Sequence, residues 1–214
     1  MTDYPYSKHF PEFERWLDDA MDNGGILECC PDDPEYLIDH VVRFNEQIDS
    51  LIRQHGVDKI STAIAFIYFG SSHYSYYLAA AAYQGKHSPR FFTSINDLYT
   101  KGFAIHCVNS IDDNLKLNGV CYPFWFHFLE QGMIQPENRQ VAEDAYRTLN
   151  FILTLKHLAC QRSALKGLSQ LWDDSLRCGF SDLALKCQKN IEQFYRNENV
   201  GSKAEWKRKH GAQK

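Results

Sequence analysis

The sequence contains no Cys-x-x-Cys spacing, no Glu-x-x-His, no His-Glu-x-x-His and no unbroken apolar run long enough to cross a bilayer. Each absence removes a class of protein. Zinc ribbons and thioredoxin-like redox sites need the first pattern, which brings two thiols onto one metal or into one disulfide. Di-metal helical bundles repeat the second on two helices, setting both ligands on one inward face. Metalloproteases need the third. A membrane span needs about 20 mostly apolar residues, and the most apolar stretch, 63–82, is interrupted by Gly70-Ser71-Ser72-His73 and Ser75. That stretch belongs in a protein core. The Arg–His spacing of helical ribonucleases is missing too, the nearest case, Arg147 to His157, being too wide.

No basic n-region or apolar h-region follows Met1-Thr2-Asp3-Tyr4-Pro5. With an odd number of cysteines, seven, the expectation is reduced thiols and a cytoplasmic address. The vicinal Cys29-Cys30 cannot complete a tetrahedral site alone. No cofactor is implied by any motif.

Charge is scarce in the middle third. Residues 61–134 carry four acidic and four basic side chains, whereas residues 1–60 carry fourteen acidic against five basic, and residues 135–214 nine against fourteen. The middle reads as interior, flanked by an acidic end and a basic end. The overall charge of −4 gives no electrostatic footprint for nucleic acid and no basic patch for an anionic membrane.

Helix punctuation is plentiful. Gly56, Gly70, Gly85, Gly102, Gly119 and Gly132 each follow an apolar-periodic stretch, as expected of a left-handed residue just past a helix end. Pro34, Pro89, Pro123 and Pro136 sit where helices should begin, at a position whose N–H is not needed. The pattern predicts helices at 10–22, 34–55, 57–69, 72–84, 89–101, 103–118, 123–131, 136–160, 163–178 and 181–196. Residues 63–69, apolar all round, should form the central helix. The expected fold class is all-α, a single globular helical bundle of about eight to ten short helices. An array of α-α hairpins shares the glycine rhythm, but no side-chain pattern repeats from one interval to the next. The domain spans 1–196, and 197–214 forms a polar basic tail, solvated and mobile, able to dock on an acidic surface of its own chain or of a second copy as a homodimer.

Several residue groups are candidates for chemistry. Gly70-Ser71-Ser72-His73-Tyr74 after an apolar stretch has the outline of a nucleophile elbow, although Tyr74 replaces the second glycine and the same residues serve as a helix end and an N-cap. His127-x-x-Glu130, set among Phe124, Trp125, Phe126 and Phe128, is either a buried hydrogen-bonded pair or part of a ligand set completed by His73 or His106. Asp112-Asp113 and Glu46-x-x-Asp49 have the carboxylate density of a magnesium site but project as solvated helix faces. Tyr76, Tyr77 and Trp125 bring aromatic bodies with polar tips near these histidines in sequence. The pocket candidates are thus His73, Tyr76, Tyr77, His106, Trp125, His127 and Glu130.

Two functional readings remain. In the first, the chain is a non-enzymatic protein–protein interaction protein, such as an adaptor, chaperone or cognate inhibitor, and presents an acidic N-terminal surface built on Asp18, Asp19, Asp22, Asp32, Asp33 and Glu35 to a basic partner. In the second it is a small helical enzyme or ligand-binding protein with an aromatic and histidine-lined pocket in residues 61–134.

Overall fold

The computed structural model describes residues 13–22, 34–69, 78, 80, 82, 87–130 and 132–211. Among these residues every regular element is helical and no strand occurs. In order they are α1 (Phe13–Met21), α2 (Pro34–Glu46), α3 (Ile48–His55), α4 (Val57–Tyr68), α5 (Ser88–Asp97), a π-helical segment (Leu98–Phe103), α6 (Ala104–His106), α7 (Lys116–Cys121), α8 (Phe124–Glu130), α9 (Arg139–Thr154), α10 (Leu158–Arg177), α11 (Ser181–Asn197) and α12 (Lys203–Gly211). They close around one apolar core and form the expected all-α bundle.

Local chemistry explains most boundaries. Gly56 and Gly132 take positive φ, 85° and 74°, at the ends of α3 and α8 as the glycine pattern predicts. Pro89 lies in the first turn of α5. The break between α9 and α10 falls at Leu155-Lys156-His157 rather than at 160–163, because Leu155 and His157 are extended.

Gly102 departs from the pattern. The helix begun at Ser88 runs through it as a π turn and ends at His106, so the expected helix 103–118 gives way to non-helical chain and the short α7. A Cβ on Gly102 would stand 2.9 Å from Ile48 Cγ1. This glycine serves a close crossing between the π segment and α3. The expected central helix is likewise displaced. In α4 one face carries Ile60, Ala63, Ile64, Ile67 and Tyr68 into the core, while Ala65 and Phe66 stay partly exposed. The hub is α10, which packs against α7, α8, α9 and α11.

Part of the expected tail is helical. Residues 203–211 form α12, whose Trp206 is only 1% exposed and meets Phe194 of α11 edge-on, with ring centroids 5.9 Å apart. Lys209 Nζ donates to Glu198 at 3.1 Å, and His210 Nε2 lies 3.3 Å from the same carboxylate. One buried tryptophan among basic residues is enough to dock this helix against Phe194 of α11. Burial acts against ionisation of Glu198, but Lys209 and His210 outweigh it and hold its pKa below the usual value. A depressed carboxylate pKa contributes stability that is present above the unfolded-state pKa, about 4.3, and is lost as pH falls through the folded value. Acidification below about pH 4 is therefore expected to weaken the docking of α12, read as faster amide hydrogen exchange across residues 203–211, and Glu198→Gln should remove the pH dependence of that step.

Candidate functional site

Of the pocket candidates, the described residues are His106, Trp125, His127 and Glu130. Trp125 is fully buried, with its ring parallel to that of Phe92 at 6.3 Å and edge-on to Phe124 and Phe128. His106 lies at the end of α6 and pairs through Nε2 with Asp49 Oδ1 of α3 at 2.7 Å. Arg53, then His106, hold the Asp49 carboxyl below its ordinary pKa. His127 is on another face. Its Nδ1 is 3.7 Å from Glu130, both side chains are substantially exposed, and its ring lies against Phe69. The buried pair expected of His127 and Glu130 is thus a surface pair, since α8 turns Phe124, Trp125, Phe128 and Leu129 inward and carries these two outward. His73, Tyr76, Tyr77 and the elbow at Ser71-Ser72 lie outside the described residues, as do Cys29 and Cys30. Asp112 and Asp113 sit in the chain after α6 rather than on a helix; Asp112 accepts from the backbone and side chain of Asn114, and Asp113 from Arg162.

A thiol–imidazole group that sequence reasoning missed occupies the core beneath α10. Cys121 lies against both Cys107 and Cys160, and Cys160 lies beside His157. His157 Nε2 faces the Cys107 carbonyl at 3.3 Å, while Nδ1 is buried with no hydrogen-bond partner of normal length. Cys121 donation, and after it the His157 ring, lower the Cys160 pKa against the effect of burial, whereas burial raises that of Cys121. Burial disfavours the imidazolium of His157, but the Cys160 thiolate and the Cys107 carbonyl carry its pKa upward. Cys121 and Cys160 have no exposed surface, which withholds them from reagents in solution. Among the described residues no group of three His, Cys, Asp or Glu is arranged to hold a metal ion. Only His157-x-x-Cys160 is legible as a local spacing; Cys107 and Cys121 arrive from other elements.

No family model, curated protein or solved structure matches the chain. Nor is any helix among the described residues long and apolar enough to cross a membrane.

The acidic candidates among the described residues lie on α1, just past its end and on α2. On α1, Phe13, Trp16, Leu17, Ala20 and Met21 are buried, which turns Glu14, Asp18 and Asp22 outward at four-residue steps with Asp19 partly exposed beside them. On α2, the burial of Leu37, Ile38, Val41, Val42 and Phe44 leaves Glu35, Asp39, Arg43 and Glu46 outward. Arg43 Nη2 bonds Glu14 Oε1 at 3.0 Å, and its guanidinium lies 4.1 Å from the Phe13 ring centroid. That bridge sets the two outward stripes side by side. Arg90 of α5 pairs with Asp39. Asp18, Asp19 and Asp22 take part in neither pair. Asp32 and Asp33 lie outside the described residues.

Proposed function

We propose that the chain is a non-enzymatic interaction protein that uses the outward face of α1 and α2 to engage a basic protein partner. The observation that carries this reading is the juxtaposition of the two outward stripes through Arg43 and Glu14, with Asp18 on α1 and Asp22 just past its end both exposed. Such a surface accelerates encounter and rejects acidic competitors more than it adds affinity. It also rests on a rigid base, because Trp16 is fully buried and packs edge-on against Phe44 of α2 at 6.2 Å.

The test uses Asp18→Lys with Asp22→Lys, two exposed positions whose change leaves the buried face of α1 intact. Capture of a lysate protein at low ionic strength should fall strongly in the double variant, and the association rate of the captured partner should drop tenfold or more. Unchanged capture, with circular dichroism showing intact helices, would refute the proposal. Native capture should itself weaken as salt approaches about 0.15 M, where charges beyond about 8 Å are screened.

A further inference from the structure

The chain between α6 and α7 returns on itself, and the return sets Cys107 against Cys121. The Asn118 side chain clamps Val108, the residue after Cys107. Its Oδ1 accepts the Val108 N–H at 3.0 Å, and its Nδ2 donates to the Val108 carbonyl at 3.0 Å and the Ser110 carbonyl at 3.2 Å. Asn118 is itself buried and lies one turn before Cys121 on α7. Gly119 tightens the same return, since a Cβ there would stand 3.0 Å from the Asp113 carbonyl oxygen.

Both ends of the return are also anchored on α10. His157 Nε2 meets the Cys107 carbonyl at 3.3 Å, and Ser163 Oγ donates to the Cys121 carbonyl. His157 and Ser163 stand three residues to either side of Cys160, so the two anchor points frame that thiol. The Cys121 thiol stands between the other two, in hydrogen-bond contact with each. Access differs among the three. Cys107 is 8% exposed, whereas Cys121 and Cys160 have no exposed surface. Cys107 ends α6 with extended backbone, φ −71° and ψ 150°, and leads into Val108, which is exposed. A small oxidant therefore meets Cys107 first, with a second thiol directly behind it.

We propose that Cys107 and Cys121 form a redox-sensitive dithiol, which a hydroperoxide such as hydrogen peroxide closes to an intramolecular disulfide. Cys107 Sγ attacks the peroxide: an S–O bond forms, the O–O bond breaks, and the leaving hydroxide takes the thiol proton and departs as water. Cys121 Sγ then attacks the sulfenic sulfur. The S–S bond forms, the S–O bond breaks, and the second hydroxide leaves as water with the Cys121 proton. Two thiols thus lose two electrons, and one peroxide is reduced to two waters. Cys121 is the resolving thiol rather than Cys160, because Asn118 ties α7 directly to the Cys107 segment. Closing residues 107–121 into a ring restricts the unfolded chain and locks the return in place. The device is independent of the acidic face on α1 and α2.

Treatment of the reduced full chain with hydrogen peroxide, then alkylation, trypsin digestion and mass spectrometry, tests the pairing. Trypsin cuts after Lys101, Lys116, Arg139, Lys156 and Arg162, which places Cys107, Cys121 and Cys160 in separate peptides, 102–116, 117–139 and 157–162. The expected product, from the monomer band of a non-reducing gel, is 102–116 joined to 117–139 and released by dithiothreitol. Cys160→Ser should still form it. In Cys121→Ser, dimedone should trap a sulfenic acid on Cys107, and in Cys107→Ser dimedone labelling of Cys121 should be at least tenfold lower than that. The oxidised native chain should unfold at a higher urea concentration than the reduced chain. Absence of the linked peptide, 117–139 joined to 157–162 in its place, linkage only between two chains, dimedone on Cys121 in preference to Cys107, or a lower urea midpoint after oxidation would each overturn the proposal.

Discussion

Replacing Trp125 by alanine is expected to lower the free energy of unfolding by about 3–5 kcal/mol, as large-to-small changes at fully buried aromatic positions do. The side chain has no exposed surface and lies among Phe92, Phe124 and Phe128. Truncation removes its transfer free energy and leaves a cavity that neighbouring rings from α5 and α8 cannot both fill. Trp125→Phe sharpens the test. The indole Nε1 is buried with no hydrogen-bond partner, and an unpaired buried donor costs about 1–3 kcal/mol, so phenylalanine recovers part of its volume deficit by deleting that N–H. The expected order of stability in urea unfolding is native above Trp125→Phe, well above Trp125→Ala. A pocket-wall role predicts the opposite emphasis, with small loss of stability for alanine. Such a result would return Trp125 to the ligand-site candidates.

The example shows how far residue type reached. A tryptophan among phenylalanines and near histidines reads equally as core or as pocket, and only the direction of each side chain decides. Positions 124, 125, 128 and 129 fall on one face of α8 and positions 127 and 130 on the other, so the helical period already separated Trp125 from the His127–Glu130 pair. His106 could not be placed in that way. Its partner Asp49 is 57 positions away in sequence and meets it because the π segment carries the helix past α3. The thiols were illegible for the same reason, since Cys107, Cys121 and Cys160 converge from three elements. The outward positions of α1 and α2 were the most readable, because they follow from the buried positions of each helix alone.

Tertiary packing also converted a polar sequence into structure at the C-terminus. The helix of residues 203–211 has almost no amphipathic pattern beyond Trp206, and intrinsic propensity alone leaves so short a helix marginal in water. Phe194 and Glu198 supply what the sequence of the helix lacks. Two charged helices accordingly rest on the core, α1 with Glu14 and Asp18 outward and α12 with Lys203, Arg208 and Lys209 exposed. Each is fixed by a buried tryptophan, Trp16 and Trp206 respectively.

Glycine carried the strongest sequence signal, and it is where the last expected result lies. Gly167→Ala should destabilise the fold by about 1–3 kcal/mol, the usual range for overpacking, even though alanine in a helix interior is intrinsically favoured over glycine by about 1 kcal/mol. Gly167 lies within α10 and outside the rhythm of helix-ending glycines. A Cβ placed there would stand 2.5 Å from Leu149 Cδ2 of α9 and 2.7 Å from Trp125 Cβ of α8. The leucine methyl is the end of a flexible side chain and can rotate away, but Trp125 Cβ is tied to its backbone, so α8 and α10 must separate. A double-mutant cycle isolates the two clashes. Leu149→Ala should relieve only a minor part of the Gly167→Ala penalty, because the contact with Trp125 persists, and urea midpoints of the two single variants and the double variant measure the coupling. If Gly167→Ala is neutral or stabilising, the close crossing of α8 on α10 is not the packing in solution, and the helix-hub arrangement falls with it.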